Sequence, residues 1–497
     1  MANLKSLAKD TMIYGMTGML GRFLNYLLVP LYTARISAAS GDYGIIIDIY
    51  AYVALIIIIL TFGMETTFFR FANKENENPK TVISTSLLAV TGVSAIFVLL
   101  VFLLLPWLAP WMHYGDHPSY IWVMAVVVAL DAVQSILYAY LRYQHKAIKF
   151  ASLKFAFIFL NIFLNLIYFW LLPSIYESHP GWVSAIYDPS IGVGYAFYLN
   201  LVCTGLVTLL FWREFTSIEY KMDWKLLKKM LEYTWPLLVL GIVGVLNQTI
   251  DKILYTKIDE SANGRIQLGI YGAACKIAMI MAIITNAFRW AYEPFVFGKS
   301  RDKDNREAYA AAMKYFIIFT LLAFLMVVAW IDLLKYIIGP DYWEGLKVVP
   351  IVMAAEIMMG VYFNLSFWYK LTDKTIWGAI FSFIGCAVMV IINYKFVPIV
   401  GYMACAWGGF TGYGVMMVLC YIVGKKYYPI DYPLKDIGFY TGLAALLYVA
   451  SVLVDWHSSF DNVIYRTLLL LVFVSVLMER EKISDKIMKI KSRHQQN

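Results

Sequence analysis

The sequence predicts an all-α polytopic membrane protein of 14 transmembrane helices, built as two six-helix halves that repeat one another plus two helices at the C-terminus. Three observations predict it. Hydrophobic residues make up 61% of the chain and charged ones 15%, against about 45–50% and about 25% in ordinary soluble proteins. Apolar runs of the roughly 20 residues that cross a bilayer recur from end to end. One stretch also returns 228 positions later: Tyr43, Gly44, Ile49, Glu65 and Phe69 recur as Tyr271, Gly272, Ile277, Glu293 and Phe297. Arg142, Lys146, Ala151 and Asn165 recur as Lys370, Lys374, Ala379 and Asn393 at the same offset.

The first half, residues 1–221, carries runs near 10–35, 43–71, 81–107, 119–142, 150–173 and 191–212. The first run is too long for a cleavable signal peptide, and no small-residue cleavage site follows it. A basic connector at 222–231 is amphipathic. Its Trp, Leu and Met residues suit a headgroup surface, although a plain cytoplasmic link accounts for its lysines as well. The second half, 232–424, carries runs near 232–257, 268–295, 309–335, 346–370, 376–398 and 402–424, and opens with Leu254-Tyr255-Thr256, an echo of Leu31-Tyr32-Thr33. Residues 425–497 add runs near 437–455 and 463–479, without counterparts in the repeat. Both halves start on the same side, which implies a pseudo-twofold axis along the membrane normal.

The net charge of +8 collects in alternate loops, as the positive-inside rule requires. Lys74 and Lys80; Arg142, Lys146 and Lys149; Lys221 to Lys229; Lys299 to Arg306; Lys425 and Lys426; and the tail from Arg480 lie on one side. The loops around 108–118, 174–190 and 455–462 hold no Lys or Arg. Both termini are expected in the cytoplasm, and the charge is not a nucleic-acid signal. Lys257 and Arg265 dissent from the rule.

Five cysteines, Cys203, Cys275, Cys386, Cys405 and Cys420, fall inside the runs. Their odd number and scattered spacing read as core filling rather than a disulfide framework or metal site. The six histidines fit no zinc motif, no phosphate-binding glycine loop occurs, and no catalytic constellation is visible. An enzyme, a cofactor and direct use of ATP are not expected.

The ionisable residues inside the runs point towards function. A charge at mid-bilayer costs roughly 2.5–3.5 kcal/mol on insertion scales, so each should face a protein-lined, watered cavity. The chain is therefore expected to move something polar or charged, coupled to a proton or sodium gradient. The cations are Arg22 in the first run, Lys252 in the seventh, and Lys276 and Arg289 in the eighth. The acids are Asp48, Glu65, Asp131, Asp251, Glu293 and Glu356. Asp48 falls opposite Lys276 in the repeat register, so that a structural pair competes there with a binding role. Asp251 and Lys252 follow Asn247-Gln248-Thr249, where gating or snorkelling competes with binding. Asp131 and Glu356 occupy related places in apolar runs, as coupling acids or as fixed partners of a base. Glu65 and Glu293 read as gate or helix-end residues.

Gly21-Arg22 through Pro30, with Tyr32, Thr33 and Asp42-Tyr43-Gly44, resembles the first helix and turn of polysaccharide flippases. Gly269-Ile270-Tyr271-Gly272 with Lys276 and Pro294-Phe295, Gly339-Pro340-Asp341-Tyr342 before Val349-Pro350, and Lys425 through Ile430 resemble their later helices. The chain is similar over residues 10–430 to the Wzx-type flippases of the multidrug/oligosaccharidyl-lipid/polysaccharide exporter superfamily. The resemblance implies two lobes in a V that open alternately to the cytoplasm and periplasm of a bacterial inner membrane. It implies an undecaprenyl-diphosphate-linked oligosaccharide as substrate, for O-antigen, capsule or exopolysaccharide. It implies membrane lipids as surroundings, and a polysaccharide polymerase and chain-length machinery as partners of a monomer. Arg22, Lys276, Arg289 and Lys252 would then meet the diphosphate, since Lys and Arg both bind phosphate. Members of the family often carry Asp-Arg where this chain has Asp251-Lys252. A multidrug or cation antiporter, a lipid II flippase, and a membrane-bound polymerase or ligase are the alternatives. The last would need a substantial outer loop, which this chain lacks.

Overall fold

The computed structural model describes residues 17, 26–74, 77–299, 306–454, 456 and 458–481, without the side chains of 290, 291, 293–295 and 297–299. Inside a bilayer the backbone finds no water, so every span must satisfy its N–H and C=O groups within itself and coils into a helix. Among the described residues thirteen helices are long and apolar enough to cross, from Asp42–Ala72 to Ser459–Arg480. They coincide with the second to fourteenth predicted runs. The first run lies largely outside the described residues, and its described end is α1 (Leu28–Arg35).

The chain divides into two compact units, Met1–Gly272 with Val397–Gly401, and Ala273–Phe396 with Tyr402–Asn497. The first holds α2 (Asp42–Thr61), α3 (Met64–Ala72), α4 (Pro79–Trp111), α5 (Pro118–Tyr143), α6 (Ala147–Leu166), α7 (Gly194–Leu210), α8 (Trp224–Ile258) and the opening turns of α9 (Ala262–Lys299). One apolar run, 43–71, becomes two helices because Phe62 and Gly63 take φ of 35° and 71°, a left-handed break that glycine adopts at little cost. Helix α4 packs on α5, α5 on α7 and α2, and α2 on α8. Phe68, Ile83, Leu87, Ile136, Leu137, Phe211 and Met230 fill the space between.

Asp223 caps α8 by accepting the Lys225 and Leu226 N–H groups at 2.9 and 3.0 Å. Residues 224–231 are thus the first turns of a 35-residue helix. Leu226, Leu227 and Met230 are buried while Trp224 is exposed. Upstream, Ser84 Oγ donates to the Lys221 carbonyl at 3.0 Å and accepts the Lys221 N–H at 2.6 Å.

Helices α2 and α9 cross at contact distance. A Cβ at Gly44 would lie 2.1 Å from the Arg265 carbonyl oxygen, and one at Gly272 would lie 2.5 Å from Ile47 Cγ1. The glycines of the repeated Tyr-Gly motif are required because they let these two backbones meet.

The second unit holds most of α9, α10 (Arg306–Ala329), α11 (Val349–Leu365), α12 (Ile376–Val400), α13 (Met403–Tyr427), and the added helices α14 (Leu434–Leu453) and α15 (Ser459–Arg480). Helix α11 packs on α13, and α10 packs on α11, α14 and α15. Ion pairs fasten the added helices to α10 and its extension at both ends. Lys314 reaches Glu481 at 2.6 Å and Asp436 at 3.0 Å, while Arg466 reaches Asp332 at 2.8 Å. Burial opposes the charge on Glu481, but hydrogen bonds from Lys314 and Tyr440 outweigh it and hold its carboxyl below the usual range.

Candidate functional site

Three groups of polar residues stand out among the described residues of the first unit. One gathers around Asp48 on α2, whose Oδ2 accepts from the Tyr114 hydroxyl at 2.7 Å and whose Oδ1 accepts from Thr256 Oγ1 at 3.2 Å. Burial, with the Asp48 charge next, holds the Tyr114 phenol far above its ordinary range, so it stays protonated and donates. The charges of Lys257 and Arg265 act on the same carboxylate. Each of those two also turns inward, Lys257 donating to the Trp111 carbonyl and Arg265 to the His113 carbonyl. This accounts for the two cations that break the positive-inside rule: each is held by a backbone carbonyl at the end of α4 or just after it. It also accounts for a boundary, since α9 starts at Ala262 rather than near 268. Arg265 and Gln267, too polar to read as membrane helix, are satisfied by His113 and by the Tyr255 hydroxyl at 2.6 Å.

The second group lies along α5. Asp131, Tyr138 and Arg142 are spaced by 7 and 4 residues, which puts them on one face. Arg142 pairs with Glu65 of α3, its guanidinium lying 5.1 and 5.9 Å from the ring centroids of Phe69 and Phe150. Lys154 of α6 holds its ammonium 4.0 Å from the Tyr138 ring centroid, within the fields of Asp131, Glu65 and Arg142. Lys154 was absent from the candidates in the sequence reading. A lysine at 154 looks like a helix-entry residue continuing the basic loop at 142–149, and only the packing of α6 on α5 reveals its partners.

Lys252 and Asp251 on α8 neutralise each other, the ammonium lying 3.0 and 2.9 Å from the two oxygens. The Tyr271 hydroxyl donates to Asp251 Oδ2 at 2.7 Å. The paired side chains are largely withdrawn from solvent.

In the second unit Arg289 lies on the same face of α9 as Thr285, Phe288 and Tyr292. It points at α11, with its guanidinium carbon 4.7 Å from the Phe363 ring centroid. Gly360, Asn364 and Phe367 line the remaining sides of the gap. Its Nε is buried without a hydrogen-bond partner among the described residues. A second gap continues from Tyr292, Asn364 and Phe367 towards Tyr309, Tyr428 and Tyr432. A buried guanidinium beside aromatic rings and amides can hold an anion by charge-assisted hydrogen bonds while the rings pack against whatever adjoins it.

Lys276 and Glu356 are half-buried on α9 and α11. Lys276 stands about four turns into its helix, because α9 begins at Ala262. Arg22 and the Glu293 side chain lie outside the described residues.

The model of a family described as polysaccharide biosynthesis protein matches residues 7–294, more than half of the chain. No curated protein matches. Among solved structures, a lipid II flippase, MurJ, in an inward closed conformation superposes with a TM-score of 0.72 at 14% identity, over 95% of this chain and 100% of its own. An inward-facing multidrug resistance MATE family transporter of the MOP superfamily gives 0.63 at 14% identity, over 84% and 97%. An outward-facing MATE transporter gives 0.54 at 15% identity, over 85% and 94%. At these identities the likeness is one of fold.

Proposed function

The chain belongs to the polysaccharide biosynthesis protein family, and on that premise we propose that it carries an undecaprenyl-diphosphate-linked oligosaccharide from the cytoplasmic to the periplasmic leaflet of a bacterial inner membrane by alternating access. The glycan is an O-antigen, capsule or exopolysaccharide repeat unit, handed on to a polymerase and its chain-length machinery. The observation that carries the reading is Arg289, a buried guanidinium with an unpartnered Nε facing a gap of aromatic and amide groups. A cation kept out of any ion pair among the described residues suits an anionic ligand and opposes the cationic drugs of a multidrug antiporter. Arg22, Lys276 and Lys252 are the further cations of this reading, and Asp48, Glu65, Asp131, Asp251, Glu293 and Glu356 its gating or coupling acids.

A lipid II flippase is the second reading, favoured by the fit to MurJ over 95% of this chain and 100% of that one. Its substrate is also a lipid diphosphate, so Arg289 serves both. The test uses proteoliposomes loaded with fluorescent undecaprenyl-diphosphate oligosaccharide or with lipid II, scored by access of an external quencher. Arg289→Ala should slow translocation on the order of a hundredfold, the loss of about 1.5–3 kcal/mol in a charge-assisted hydrogen bond, while insertion stays normal. Arg289→Lys should recover part of the rate if charge alone matters. Wild-type rates in Arg289→Ala would overturn the reading, and faster transport of lipid II than of the oligosaccharide would select the second.

A further inference from the structure

We infer that Asp131 and Lys154 form a proton-exchange pair inside the first unit, in which Lys154 is the positioning cation that neutralises the ionised carboxylate and is released when Asp131 takes up a proton. The inference rests on the transporter reading above and supplies its driving ion.

The first observation is the balance of charge. Asp131, Glu65, Arg142 and Lys154 share one region, two acids against two bases, and sum to zero. Within that set Arg142 and Glu65 are committed to each other by direct contact, which leaves Lys154 as the counter-charge for Asp131. The two are coupled without touching. No hydrogen-bond partner reaches the Asp131 carboxyl among the described residues, and Lys154 is the one charged group acting on it. The ammonium rests instead over the Tyr138 ring at 4.0 Å, a cation–π seat weaker than a hydrogen-bonded ion pair. A buried pair meant only to hold helices together would close into direct contact, as Arg142–Glu65 and Lys149–Glu214 do. This one is poised.

The second observation decides between a proton and a metal cation. From α2, the group facing Asp131 is Tyr50, whose hydroxyl is occupied by Asn200 Nδ2 of α7 at 2.8 Å, with Cys203 of α7 beside it. From α6 there is Lys154, and from α5 itself Tyr138. Glu65 of α3 acts through Lys154 and Arg142, and Arg70 of α3 is turned to the Tyr233 ring at 4.0 Å. Residues 82–111 of α4 include no ionisable side chain. A sodium ion needs several oxygen ligands around it, whereas this site offers one carboxylate beside a resident ammonium that repels a second cation. A proton needs only a carboxylate oxygen.

The step balances simply. A proton from the aqueous phase adds to an Asp131 oxygen and forms an O–H bond, while Lys154 keeps its own protons. The set then changes from net zero to one positive charge inside the membrane, an expensive state. The ammonium, no longer held by Asp131 and repelled by Arg142, is driven to rearrange. That is the coupling event.

Dicyclohexylcarbodiimide, which reacts with protonated carboxyls in apolar surroundings, is the probe, on the full chain in nanodiscs with no glycan present. The peptide containing Asp131 is quantified by mass spectrometry across pH, in sodium chloride and in choline chloride. Labelling of Asp131 should rise as the pH falls, be indifferent to sodium, and vanish in Asp131→Asn. Lys154→Met should label about tenfold more than wild type at neutral pH, because the carboxylate has lost its counter-charge, and Lys154→Arg should stay close to wild type. Protection by sodium would overturn the proton assignment. Equal labelling in Lys154→Met and wild type would remove Lys154 from the site. If Lys154→Met fails to fold, Lys154→Gln takes its place. Because no glycan enters, these outcomes stand or fall separately from the Arg289 experiment.

Discussion

The two repeats place like residues at like positions and then treat them differently. Asn165 is fully buried in the first and makes its bonds: it accepts from the Tyr32 hydroxyl at 2.7 Å and donates to the Asn161 carbonyl at 2.8 Å. Asn393, its counterpart, is equally buried, yet neither its oxygen nor its nitrogen has a partner among the described residues. Charges show the same contrast. In the first unit Glu65 meets Arg142, and Asp131 lies in the field of Lys154; in the second, no carboxylate among the described residues pairs with Arg289, and its buried Nε is unpartnered, as that of Arg142 is. Duplication copies the helices and the positions on them. It does not copy the partners, because a partner comes from a different helix that drifts independently. Asn165 and Arg142 have found partners in the first repeat of a kind that Asn393 and Arg289 lack among the described residues.

The largest effect is expected where the repeats' own motif packs. Gly44→Ala drives a methyl group into the Arg265 backbone, which cannot step aside, and should cost about 3 kcal/mol or more. Gly272→Ala meets the Ile47 side chain, which can shift, and should cost less. Gly92→Ala, with nothing within 4 Å of the added carbon, should be neutral or slightly stabilising. Thermal midpoints followed by tryptophan fluorescence would rank the three, and equal losses at Gly44 and Gly92 would refute the close crossing.

Arg142→Met should come next. It strips Glu65 of its partner and should cost about 1–3 kcal/mol, reduced because the Glu65 side chain is 43% exposed. Adding Glu65→Gln should restore most of the loss, a coupling that a double-mutant cycle measures. Additive losses would mean that the pair is incidental.

The smallest effect tests the asparagines directly. Asn165→Leu leaves the Tyr32 hydroxyl without its acceptor and should destabilise by about 1 kcal/mol, whereas Asn393→Leu removes two orphaned groups and should be neutral or stabilising. If Asn393→Leu instead stays stable but loses transport, the orphaned amide serves a ligand, and the contrast between the repeats is sharpened. Equal destabilisation at both positions would abolish it.

Most of the architecture was legible because a bilayer leaves the chain little choice. Thirteen predicted runs are helices with boundaries a few residues off; the largest shift, at the start of α8, arises because Asp223 caps the basic connector into the helix, and the one at the start of α9 from two polar residues satisfied out of sight of the sequence. The site was less legible. Asp131 could be picked out because it stands deep in an apolar run, and Arg289 because it is a guanidinium in one. Lys154, Tyr114 and Thr256 could not, since a lysine near a basic loop, a tyrosine in a turn and a threonine at a helix end are ordinary in those places. The misplaced charges of Lys257 and Arg265 were the one signal that pointed beyond itself.

By itself the sequence determined where thirteen of the spans lie, the internal duplication and the presence of charges within apolar runs, because hydrophobic length acts locally along the chain. Tertiary structure decided which of those charges are compensated. Asp48 is bound by Tyr114 and Thr256, from positions 66 and 208 residues away, and the charge of Lys154 acts on Asp131 from the neighbouring helix. A charge in low dielectric is governed by what lies within a few ångströms, and that neighbourhood exists only once the helices have packed.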